Sequence, residues 1–95
     1  MRKFKNLEEI RVEIDKIDLK ILELISKRKD LVTEVVKLKE RDQIVDKKRI
    51  EEILRNLDFE SEKKGLPKKL VQDLWKRMIK AFIKYEEENV DKKLK

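Results

Sequence analysis

The sequence predicts an all-α protein of three helices, with a first helix much longer than the other two. Three observations carry this. Leu7, Ile10, Ile14, Ile17, Ile21, Leu24, Leu31, Val35 and Leu38 advance in steps of three and four with one gap, at Arg28, which is the period of one helix face. The 95 residues include one Gly and one Pro, the two strongest punctuators of regular structure. Charged residues make up 51% of the chain, the profile of a solvated helical surface or of a disordered chain, and the sustained apolar ladder decides for helices.

Helix 1 is expected over about 7–41. Asn6 is a good N-cap and Glu9 occupies the N3 position, so the pair reads as a capping box. At ~1.5 Å per residue the helix is a rod of roughly 50 Å, too long for so small a chain to cover, which argues for a partner chain. Residues 42–45 break the ladder and read as a short loop. Asp46 is the candidate N-cap of helix 2, about 47–64, whose apolar stripe is Ile50, Ile53, Leu54 and Leu57 and whose stop is Gly65. Pro67 suits the first turn of helix 3, about 67–90. Its stripe is Val71, Leu74, Trp75, Met78 and Phe82, with Leu70, Ile79 and Tyr85 beside it. Residues 91–95 read as a frayed tail. The whole reads as one domain over 1–95, without strands or internal repeats.

Composition narrows the chemistry. The chain has no Cys and no His, which removes disulfides, thiol nucleophiles, zinc–thiolate sites and the commonest general base. One Gly excludes a glycine-rich phosphate cradle. The few hydroxyls include Ser26, Thr33, Ser61 and Tyr85. An enzyme built from this chain works with Arg, Lys, Asp and Glu, and no cofactor or metal is called for. No apolar run spans a membrane, and the first five residues lack the apolar core of a signal peptide, so a cytoplasmic protein is expected. Abundant Lys, Glu and Ile with few Asn and Gln point to a thermophilic source. The net charge of +6 invites a nucleic-acid reading. Cations and anions are interspersed, however, and the aromatics do not alternate with basic residues, so a nucleic-acid partner is not expected.

Two polar residues fall on apolar stripes. Arg28 fills the gap in the helix 1 ladder, and a buried cation needs a partner. Glu86 continues the helix 3 stripe four residues past Phe82. Lys39 follows Arg28 by eleven residues, about three turns, so both project from nearly one face. Arg11 flanks the seam seventeen residues before Arg28, roughly 25 Å away. If it serves a site, that site belongs to a second copy in a symmetric dimer with antiparallel long helices. Asp46 and Arg49 stand one turn apart on helix 2. Each has an ordinary reading alone: Arg28 paired with a carboxylate, Lys39 at the surface, Asp46 and Arg49 a cap with a local ion pair. Together they make a strongly cationic pocket with no nucleophile and no conventional base. Such a pocket suits a small dianion and a reaction that needs only conformational restraint and stabilisation of developing charge.

At these residues the sequence resembles the all-helical, AroQ-type chorismate mutases. The resemblance rests on Leu7-Glu-Glu-Ile-Arg11, Ile14-Asp-Lys-Ile-Asp18, Leu24-Ile-Ser-Lys-Arg28, Val32-Thr-Glu-Val35 with Leu38-Lys39, and Val45-Asp46 with Arg49. Gly65-Leu66 and the 74–86 stretch follow at the family's spacing. It implies an intertwined helical homodimer that converts chorismate to prephenate by a Claisen rearrangement, in phenylalanine and tyrosine biosynthesis. It further implies that Arg11 of one subunit and Arg28 of the other bind the substrate carboxylates. Lys39 reaches the ether oxygen and a carboxylate, Asp46 and Arg49 lie at the hydroxyl and carboxylate end, and Glu86 faces the ether oxygen. Three positions depart from the family. Glu86 stands where Gln is usual, Ile50 where a Glu commonly follows the helix 2 Arg, and Phe82 where a small polar residue is expected. The rival readings are a lyase-type relative acting on isochorismate with the same pocket, and a non-catalytic helical dimer or adaptor.

Overall fold

Asn6 starts the first helix. Its Oδ1 accepts a hydrogen bond from the Glu9 backbone N–H at 2.9 Å, satisfying one of the donors a helix start leaves unpaired. Glu9 Oε2 in turn accepts from the Lys5 N–H at 2.8 Å. The return half of the expected capping box therefore falls on Lys5, one residue before the cap. In the computed structural model, which describes residues 3–90, the chain forms α1 (Leu7–Leu38), a 3₁₀ turn (Arg41–Gln43), α2 (Lys47–Lys63) and α3 (Lys68–Val90). Among the described residues there is no strand, and no helix is long and apolar enough to cross a membrane. The 91–95 tail lies outside the described residues.

α1 ends three residues before the Arg41 boundary that its pattern indicates. The Lys39 N–H bonds the Val36 carbonyl at 3.4 Å, an i→i−3 bond that tightens the last turn. The 3₁₀ turn then carries Ile44 into the core, where it is only 3% exposed. A residue that reads as loop in the sequence is thus a core residue, and its burial accounts for the early stop.

α2 ends in a Schellman motif, in which two N–H groups beyond the helix reach back to its last carbonyls. The Leu66 N–H reaches the Ser61 carbonyl at 2.9 Å and the Gly65 N–H reaches that of Glu62 at 3.2 Å. Gly65 adopts φ +68°, the left-handed region such a cap requires. Pro67 lies one residue before α3, and its carbonyl accepts the Val71 N–H. α2 and α3 pack as a helical hairpin, clipped by Gln72 Nε2, which donates to Asp58 Oδ1 at 2.7 Å and the Leu54 carbonyl at 3.3 Å.

The chain divides into two compact units between Leu31 and Val32. The first holds most of α1, and its apolar ladder is exposed: Ile17, Leu24 and Leu31 are 56%, 62% and 68% accessible. The second holds the last turns of α1, the 3₁₀ turn, α2 and α3. Its core gathers Val36, Ile44 and Val90, with Ile83 packed against them, while Val71 and Ile79 are buried elsewhere on α3.

Candidate active site

Three chain segments of the second unit position its candidate side chains. The final turns of α1 lead to Lys39, the 3₁₀ turn leads to Asp46 at the start of α2, and α3 carries Glu86. A hydrogen bond of 2.7 Å between the Thr33 and Tyr85 hydroxyls ties the end of α1 to α3 one residue before Glu86. Asn89 Nδ2 bonds the Tyr85 carbonyl at 2.7 Å, and the Phe82 and Tyr85 rings meet edge to face at 6.4 Å. The sequence marks Thr33 and Tyr85 as two of its few hydroxyls, with Tyr85 beside the anomalous Glu86, but not as a pair.

Lys39 and Glu86 are brought together. The Lys39 ammonium lies 3.7 Å from Glu86 Oε1 and 3.5 Å from the Ile44 carbonyl oxygen. Both contacts are longer than a well-made hydrogen bond. Glu86 is 7% exposed, a buried carboxylate with a cation beside it. Burial favours its neutral form and the ammonium favours its ionised form.

Asp46 caps α2: its Oδ1 accepts from the Arg49 backbone N–H at 3.0 Å. The Arg49 guanidinium, more than half exposed, pairs with Glu52 one turn further on. The local ion pair that the sequence leaves open between Asp46 and Arg49 is therefore a backbone cap plus a separate Arg49–Glu52 pair. A cavity of about 580 Å³ opens beside this turn, lined by Leu38, Lys39, Gln43, Val45, Asp46 and Lys47. It places two cations, a carboxylate and an amide around one space. Among the described residues no cluster of three or more His, Cys, Asp or Glu side chains has the arrangement to hold a metal ion.

Arg11 and Arg28 belong to the first unit. Arg11 is exposed on α1, and Arg28 is half-buried on the same helix. Ile50 and Phe82, the apolar replacements noted above, are both half-buried in the second unit. Gln43, which lies in the 42–45 stretch that reads as loop in the sequence, lines the cavity. Its signal was the Glu40-x-x-Gln43 spacing, the span of a capping box.

A family model described as chorismate mutase type II matches residues 10–87 of the chain. That range includes Arg11, Arg28, Lys39, Asp46, Arg49 and Glu86. No curated protein and no solved structure matches the chain.

Proposed function

Since the chain belongs to the chorismate mutase type II family, we propose that it is a chorismate mutase, an isomerase that rearranges chorismate to prephenate. The observation that carries the reading is the Lys39–Glu86 pair beside a cavity of about 580 Å³. The rearrangement breaks one C–O bond and forms one C–C bond within a single molecule. It needs no proton transfer, nucleophile or redox partner. Negative charge gathers on the ether oxygen as the C–O bond stretches. The Lys39 ammonium facing that oxygen would stabilise the charge more in the transition state than in the ground state. Cations on the two carboxylates hold the substrate in the compact conformer that reacts.

In this reading Arg28, Lys39, Asp46, Arg49 and Glu86 line one site and Arg11 enters it from a second chain. The exposed ladder of the first unit supports a homodimer, because a soluble monomer rarely leaves so long an apolar stripe in water. The reading also takes in a cytoplasmic location, a thermophilic source and a place in phenylalanine and tyrosine biosynthesis. Ile50 and Phe82, half-buried and apolar where the family is usually polar, bear on substrate identity, and the rival within the fold is a lyase-like enzyme acting on isochorismate.

One assay separates these. The protein is mixed with chorismate, and loss of diene absorbance and formation of prephenate are followed at moderate and elevated temperature. Turnover to prephenate is expected, and Arg28→Ala is expected to abolish it with the helical circular dichroism unchanged. Cleavage of isochorismate alone would move the assignment to the lyase. Absence of both reactions would leave a non-catalytic helical dimer.

A further inference from the structure

Gln43 sits in the 3₁₀ turn beside the cavity, and its backbone N–H and its side-chain oxygen are both pinned to Glu40. Its Oε1 accepts from the Glu40 N–H at 2.8 Å, and its own N–H donates to the Glu40 carbonyl at 3.0 Å. A primary amide carries one acceptor oxygen and a nitrogen with two donor hydrogens. With the oxygen committed, the amide cannot flip without losing that bond, so the nitrogen's direction is set. Nε2 makes no hydrogen bond among the described residues. The side chain lines the same cavity as Lys39 and Asp46.

The choice of residue also bears on the role. Glu and Gln serve equally well as the side chain that reaches back to a cap. Only Gln does so without placing a negative charge in a cavity that must accept an anion. A neutral donor, fixed in direction, therefore shares the cavity lining with the Lys39 and Lys47 cations and the Asp46 carboxylate.

We propose that Gln43 is a substrate-binding residue, whose Nε2 donates a hydrogen bond to an oxygen of the anionic substrate that Lys39 attracts. This rests on the chorismate mutase reading above for the identity of that substrate.

Gln43 and Gln72 are the only glutamines in the chain. Asn6, Asn56 and Asn89 also give side-chain amide signals in a ¹H–¹⁵N spectrum, so the pair lost in Gln43→Glu assigns Gln43 and the pair lost in Gln72→Glu assigns Gln72. Gln72, held by Asp58 and the Leu54 carbonyl, is the internal reference. On adding chorismate to the unmutated protein, the Gln43 amide pair shifts and saturates while the Gln72 pair stays in place. In turnover assays Gln43→Ala and Gln43→Glu each lower kcat/KM by about tenfold, chiefly through KM, as loss of one hydrogen bond to bound substrate does. Gln43→Glu is the decisive variant, because it keeps the bond to the Glu40 N–H. Full activity in Gln43→Glu overturns the proposal and leaves Gln43 as a cap. So does a Gln43 amide that does not move under saturating chorismate. A saturating shift without turnover upholds the contact and overturns the mutase reading instead.

Discussion

Glu86 is where two electrostatic influences meet. Its burial penalises the charged carboxylate, and Lys39 at 3.7 Å rewards it. In the proposed reaction only the protonated form donates a hydrogen bond to the ether oxygen, and the ionised form repels it. Activity is then present below the ionisation of Glu86 and lost as pH rises through it. Glu86→Gln keeps a donor at every pH, so its kcat/KM should fall less on the alkaline side than that of the unmutated protein. Profiles of kcat/KM against pH for both proteins check this, and a flat profile in the unmutated protein counts against it. Arg28, Lys39 and Glu86 were legible as candidates because spacing alone exposes a polar residue on or beside an apolar stripe. Gln43 and the Thr33–Tyr85 bond were not, because their roles come from contacts that periodicity does not encode. Arg49 shows the limit from the other side. Asp46 and Glu52 both lie one turn from it, and the backbone N–H claims Asp46, which leaves the guanidinium to Glu52.

At the scale of elements, the starts and stops differ in how visible they are. Gly65 was legible as a stop because a left-handed φ of +68° suits glycine and few other residues. Nothing lies within 4 Å of where a β-carbon would sit on it. Gly65→Ala should therefore destabilise through backbone strain alone, by about 1 kcal/mol, without crowding any neighbour. Urea unfolding measures it, and a loss well above that value would mean that the α2–α3 hairpin also depends on this turn. The end of α1 was less visible. Lys39, Glu40 and Arg41 are all good helix formers, and what stops the helix is the burial of Ile44 against Val36 and Val90, a tertiary effect. The same turn that buries Ile44 presents its carbonyl to Lys39 and sets Gln43 at the cavity. Core packing and site geometry thus share one three-residue element.

For the whole molecule, the apolar ladder was legible as a helix face from the first residues, and its exposure in the single chain is the strongest physical argument for the proposed dimer. Sedimentation should give a particle of about twice the 11.6 kDa chain mass, and a monomer at micromolar concentration would count against shared sites. The continuity of α1 has a further consequence. Arg11 and Arg28 ride on one helix yet are assigned to different sites of the dimer. Neither Arg11→Ala nor Arg28→Ala should have an intact site in its own homodimer. In a mixed dimer both lesions fall on one site, and the other receives an intact Arg11 and an intact Arg28. Two inactive proteins, unfolded together and refolded in equal amounts, should then recover about a quarter of full activity if the chains pair at random. The dimer would complement itself as two defective alleles do, and recovery of nothing would mean that Arg11 and Arg28 of one chain serve the same site.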